Sequence, residues 1–413
     1  MPSPSRTPLH RRAALTAVLA ATFAATFAAA AAPSALAVRN PAQRPLRSVQ
    51  VLAPGWTASD KELGRVDDLI RVGHTVYIGG NFTVIGGHGG RKALRLHLAA
   101  VRAGTGKLQR FHPAINGRVY ALAVSPGGRF LFVGGQFSAV GVHRRDNLAA
   151  FNLRTGRLSK RLPNLGVSGT VRTIAVSRTG RLYIGGSFGR VGAARRGNLA
   201  KLILRGNRYA LNRRWRPQTN SDVRDIVVSA RTRRVIVGGD FSAVNGHRGQ
   251  SGIAALGPGA GRVLPWSNHP SDPILDLALC GKRVYAAMGG PGGTALAYRL
   301  GGRRRWYYMT DGNIQAVTCL GRRGVFGMHG DYVAPHKNQK LDEFGSSRRI
   351  QRHKLFMLTY GGALERWNPD VSSTAGVLGV WALAARRGNL YVGGDFTGIH
   401  GVAQQRFAIL PRR

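Results

Sequence analysis

The segment Val76-Tyr77-Ile78-Gly79-Gly80-Asn81-Phe82 decides how this chain folds, because it recurs. The same phrase of apolar and aromatic residues, a glycine pair, a short polar residue and Phe returns at 131–137, 182–188, 235–241 and 390–396. A second apolar run precedes each copy. The first apolar residues of these runs are Val66, Val119, Val171, Val223, Ile274, Ile314 and Val380, roughly fifty residues apart in most copies. Copy six departs from the pattern, with Gly327-Met328-His329-Gly330-Asp331 in place of the phrase.

Each copy reads as four short strands. Strand a is the upstream run, such as Val119-Tyr-Ala-Leu-Ala-Val124, apolar on both faces and so buried on both. Strand b carries the glycine pair, which is expected to supply positive φ and close backbone approach. Strand c follows at Asn147-Leu-Ala-Ala-Phe151 and its equivalents. Strand d ends in aromatic-x-Pro, as at Trp215-Arg216-Pro217, and Pro suits an outermost strand that needs no ladder donor. The fold expected is all-β, a seven-bladed β-propeller of four-stranded antiparallel blades. The last copy stops after strand c, so an N-terminal strand at about 47–57, containing Val51-Leu-Ala-Pro-Gly-Trp56, is expected to complete it and close the ring.

The repeats resemble those of secreted bacterial propeller proteins of the actinomycete type, and of the related fungal polarity-protein repeats. Within copies five and six, Gly289-Gly290-Pro-Gly-Gly293 and Asp311-Gly-Asn-Ile-Gln-Ala-Val317 also look like that bacterial family. The likeness covers about residues 60 to 410. It implies fold and export and carries no established activity. A more distant kelch-like likeness rests on the glycine pair, but the downstream Tyr and Trp spacing of kelch repeats is missing.

Residues 1–37 read as a signal peptide: Arg11-Arg12, an apolar run over 13–32, and Ala35-Leu36-Ala37 as the cleavage site. The paired arginines leave Sec and twin-arginine export both open. Cleavage would leave 38–413 as a single secreted propeller with no membrane span, expected to be a monomer. The formal charge is +44, and removing Arg6, Arg11 and Arg12 leaves +41. Nine of the 61 basic residues are Lys and the rest Arg, and only 17 acids oppose them. Such a surface attracts anionic polymers, whether cell wall, polysaccharide or nucleic acid, although a GC-rich genome also favours Arg without regard to function.

Candidate sites follow from the loops. The b–c loops carry His88, His143 and His247, then Arg91-Lys92, Arg144-Arg145, Arg195-Arg196 and Arg248. A positive arc over blades one to four is expected there. Blade six has the long b–c loop, about 333–352. His329, Asp331, Tyr332 and His336, with Trp306-Tyr307-Tyr308 nearby, make it the expected ligand site. Asp68, Asp225 and Asp276 share one column of strand a and could hold a cation, but inner-strand Asp more often bonds the backbone of the adjoining blade. No metal or cofactor is expected.

No His-Glu-x-x-His or phosphate loop is present, which weighs against an enzyme. A non-enzymatic binding or scaffold propeller is the first reading. An extracellular hydrolase or lyase with its site near blade six is the alternative, or a small-ligand or Ca²⁺-binding propeller. Alignment of strand a puts Cys280 and Cys319 one position apart on neighbouring blades, so the two are expected to be close. Their Cβ directions leave the bond itself open.

Overall fold

The computed structural model describes residues 39–46, 48–52, 64–86, 92–340, 348–373 and 379–413. The leader, Trp56, His88 and Arg91 lie outside them. Seven antiparallel sheets follow one another. Their inner strands are Arg65–Val72, Arg118–Val124, Thr170–Val176, Val223–Ser229, Ile274–Cys280, Ile314–Leu320 and Val380–Arg386. Each pairs with the next strand in sequence, and that strand with the third. Successive inner strands pack together around the axis, and the last packs on the first, which closes a ring.

The apolar clusters straddle the seams between blades. One joins Ala382, Tyr391 and Phe407 of blade seven to Val66, Ile78 and Val101 of blade one, so the closing seam is packed like the others. The glycine pair makes this packing possible. A Cβ on Gly79 would lie 2.6 Å from Val119 Cγ1 of the next blade, and one on Gly80 2.1 Å from the Arg65 carbonyl oxygen. Neither glycine has positive φ. Close approach alone requires them, which corrects the expected conformational role. The positive φ falls instead on the residue before strand c, as at Asn147 and Asn198, both at +66°. In blade two the Asn147 carbonyl accepts from Gly135 N and its side-chain Oδ1 from Phe137 N, which ties the end of strand b to the start of strand c.

The fourth strand is more reduced than the sequence suggested. It is well formed in blades three (Arg208–Leu211) and five (Arg304–Met309), spans Val263–Leu264 in blade four, and elsewhere is a single bridge such as Val101 to Leu108. In blade seven that bridge joins Pro41 to Arg412. Ala42 N donates to the Pro411 carbonyl, Leu46 N to that of Ile409, and Trp367 Nε1 to that of Pro41. The N-terminal segment therefore does supply the outer edge, but through residues 41–46 rather than 47–57. Gln50–Leu52 has already left the edge and pairs with Val84–Gly86 of blade one. The connection after strand d does the same elsewhere, with Ile115 on Val140 and Val167 on Val191.

Candidate binding site

Every inner strand bulges just after its first apolar residue. The pairing skips Asp67 between Val66 and Asp68, and skips the equivalent residue in the other six blades. A bulge leaves one residue out of the ladder and re-aims its side chain. The skipped residues, Asp67, Tyr120, Arg172, Arg224, Leu275, Gln315 and Trp381, all line the axial channel, which encloses about 430 Å³. This column was not singled out from the sequence. Its signal was there, in polar and aromatic residues breaking otherwise apolar runs.

The charges at this mouth are paired. Asp67 accepts from Arg65 Nε and from two nitrogens of Arg118, each at 2.8 Å. Arg172 binds Asp222 at 3.0 Å, and Arg224 binds Asp240 at 2.6 Å. Tyr120 lies between Arg118 and Arg172, whose guanidinium carbons are 4.6 and 5.3 Å from its ring centroid. Arg65 stacks on Trp381 at 3.9 Å. Three carboxylates serve these four arginines, so the mouth is a polar collar whose charge is largely paired.

One residue deeper, the three aligned carboxyls clamp the seams. Asp68 accepts from Leu122 N of blade two, Asp225 from Leu277 N of blade five, and Asp276 from Val317 N of blade six. Thr173 of blade three donates to Asp225. These oxygens serve the neighbouring backbone, as inner-strand Asp was expected to do. Burial pushes Asp68 up to about 7, against the opposing pull of the Leu122 and Leu69 amides. Burial also raises Asp225 and Asp276, and the charge of Asp225 raises Asp276 further.

The loop arginines divide into two kinds. The b–c loops form two-stranded ribbons, among them His143–Arg144 on Ala139–Val140 and Ala194–Arg195 on Arg190–Val191. Arg144, Arg195 and Arg248 occupy one register position on three successive ribbons and are exposed, as are His143 and His247. Arg145 and Arg196 turn inward. Each gives one guanidinium N–H to the carbonyl just before it, and Arg196, Arg95 and Arg352 give another to the fourth-strand carbonyls of Asn212, Gln109 and Glu365. These are staples within a blade. The expected arc of paired arginines is therefore a row of single ones.

In blade six, Lys354 is buried and donates to the Asp331 carboxylate at 2.8 Å and to the His329 carbonyl at 3.2 Å. His329 Nδ1 is 3.1 Å from Gln315 Nε2, which links this blade to the channel mouth. Burial, then the charge of Lys354, lowers His329. Tyr332 is 36% exposed on the ribbon, and His336 is exposed on the loop that follows. Trp306 and Tyr308 are core residues. Their polar atoms bond the carbonyls of Tyr360 and Pro335, so they form no ligand platform.

No family model matches the chain, and no curated protein matches it by sequence. Among solved structures, the WD40 β-propeller domain of Doa1 is similar over 89% of this chain and 97% of that one, with a TM-score of 0.52. The fold is a β-propeller. At 11% identity the likeness to that WD40-type ring shows the architecture alone.

Proposed function

We propose that the protein is an extracellular, non-enzymatic binding propeller that associates with cell-wall or other anionic polymers through its arginine-rich surface. One observation carries this reading. Of the 17 acids, Asp60, Glu62, Asp342 and Glu343 lie outside the described residues, and every other one is engaged internally. Asp67, Asp146, Asp222, Asp240, Asp331, Glu365 and Asp370 face basic side chains, Asp68, Asp225, Asp276, Asp311 and Asp395 accept from backbone amides, and Asp272 accepts from the hydroxyl of the adjacent Ser271. The acids are spent within the fold, so the exposed arginines set the field at the surface. Their attraction for a polyanion scales with the counterions released.

Export is supported by the leader sequence, by the resemblance to secreted bacterial propellers, and by a disulfide between Cys280 and Cys319, a bond at home in oxidising compartments. The test is retention of the mature chain on an immobilised polyanion across a salt series. The bound fraction should fall steeply as salt rises through the physiological range. Retention that ignores salt, or no retention at low salt, overturns the reading.

A further inference from the structure

Third-strand residues paired to the same position of strand b can be compared across the ring. Blades one, two, four, five, six and seven place Ala100, Ala150, Ala255, Ala297, Met357 and Ile409 there, all buried and apolar. Blade three places Lys201 there, opposite Tyr183 and only 5% exposed. A buried ammonium carries a desolvation cost that alanine at the same position avoids. Its Nζ donates to the Pro258 carbonyl of blade four and lies 5.5 Å from the Tyr183 ring centroid. Among the described residues no carboxylate stands within ion-pair range of it.

Lys201 opens on a groove of about 650 Å³ between blades three and four, on the face of the a–b and c–d turns. That face is opposite the ribbons, because strands a to d run antiparallel. Arg181 and Arg214, both exposed, line the same groove, with Asn212 beside them and Ile203 and Leu204 forming an apolar wall. Leu204 is 38% exposed, one of few large apolar side chains so placed. Three cations thus converge on one concavity whose lining includes no acid. We propose that this groove binds an oxyanion group, phosphate or carboxylate, carried on a ligand with an apolar side, and that Lys201 is its central contact. The arginine fork and the ammonium suit such oxygens. The site is discrete and does not rest on the polymer reading above.

The test uses the mature chain, with inorganic pyrophosphate and citrate as separate probes against sodium chloride at matched ionic strength. For the wild-type chain, the thermal unfolding midpoint should rise saturably with one or both probes, as ligand linkage requires. Saturation by pyrophosphate alone assigns a phosphate group, and by citrate alone a carboxylate. Lys201→Ala, which installs the residue of four other blades, should weaken that binding at least tenfold while leaving stability in chloride unchanged or higher. Lys201→Met, the residue type of blade six, covers the case where alanine leaves a gap. A midpoint that tracks ionic strength alone, or equal saturation in both variants, overturns the proposal. Unchanged binding with lowered stability would make Lys201 a structural residue.

Discussion

The Cα atoms of Cys280 and Cys319 lie 5.6 Å apart, and a disulfide joins the inner strands of blades five and six. The bond closes a loop of 39 residues in sequence separation. The chain-entropy account gives a constraint of that length a stabilisation of about 4 kcal/mol. Replacing both cysteines with serine, or reducing the wild-type chain, is expected to lower stability by up to that amount. Denaturant midpoints with and without reductant, read beside thiol labelling, check it.

Arg195 and Arg196 are neighbours in sequence with opposite duties. Arg196 is 7% exposed and ties its loop to the fourth strand. Arg196→Ala should cost about 1–3 kcal/mol, the range for charged hydrogen bonds lost together with packing. Arg195→Ala should stay within about 0.5 kcal/mol in stability and reduce retention on polyanions. Chemical denaturation and salt-series chromatography on both variants separate these effects. Equal destabilisation would remove the distinction between staple and surface arginine.

Asp68 should make stability depend on pH between about 4 and 7. Its folded value, about 7, lies above the ordinary 3.8, so the folded state holds a proton that the unfolded chain releases across that window. The contribution is therefore fully present below the unfolded value and lost as pH rises through the folded one. Wild-type stability relative to Asp68→Asn should fall as pH is raised from 4.5 to 7.5. Paired carboxylates such as Asp146 act in the other sense: burial pushes it up, but Asn164 and Arg144 outweigh that and hold it below its ordinary value. Urea midpoints of the two proteins at both pH values measure the difference, and a constant difference would assign no proton to Asp68.

Removing the chain through residue 46 should expose an edge. The segment covers the strand Phe407–Leu410 and supplies the carbonyl that Trp367 binds. The truncated protein is expected to unfold at lower temperature and to associate with rising concentration, because a bare edge is a template for pairing. A chain beginning at residue 39 keeps the segment and should behave as the mature protein does. Size-exclusion profiles over a concentration series, with thermal melts, decide the outcome.

The repeat, the three inner strands of each blade and the proximity of the two cysteines were legible in the sequence. They rest on local patterns, apolar alternation and glycine pairs, that recur often enough to be aligned. Strand bounds such as Phe407–Leu410 followed for the same reason. What only the tertiary structure decided concerns partners distant along the chain. It placed the closing edge at residues 41–46, because Pro41 and Leu46 meet Arg412 and Ile409 from the other end of the sequence. It separated Arg196 from Arg195, since one guanidinium finds a fourth-strand carbonyl and the other finds solvent. It brought the bulged residues of seven blades to one channel mouth, where Asp67 meets Arg118 and Asp222 meets Arg172. Lys201 shows the division most clearly. Its sequence neighbours, Ala200 and Leu202, are ordinary strand residues. The repeat itself sets Lys201 against Ala150, but only the ring buries its ammonium beside Pro258 of the next blade and puts three cations around one groove: burial and charge depend on what packs across a seam, and a linear pattern does not contain that.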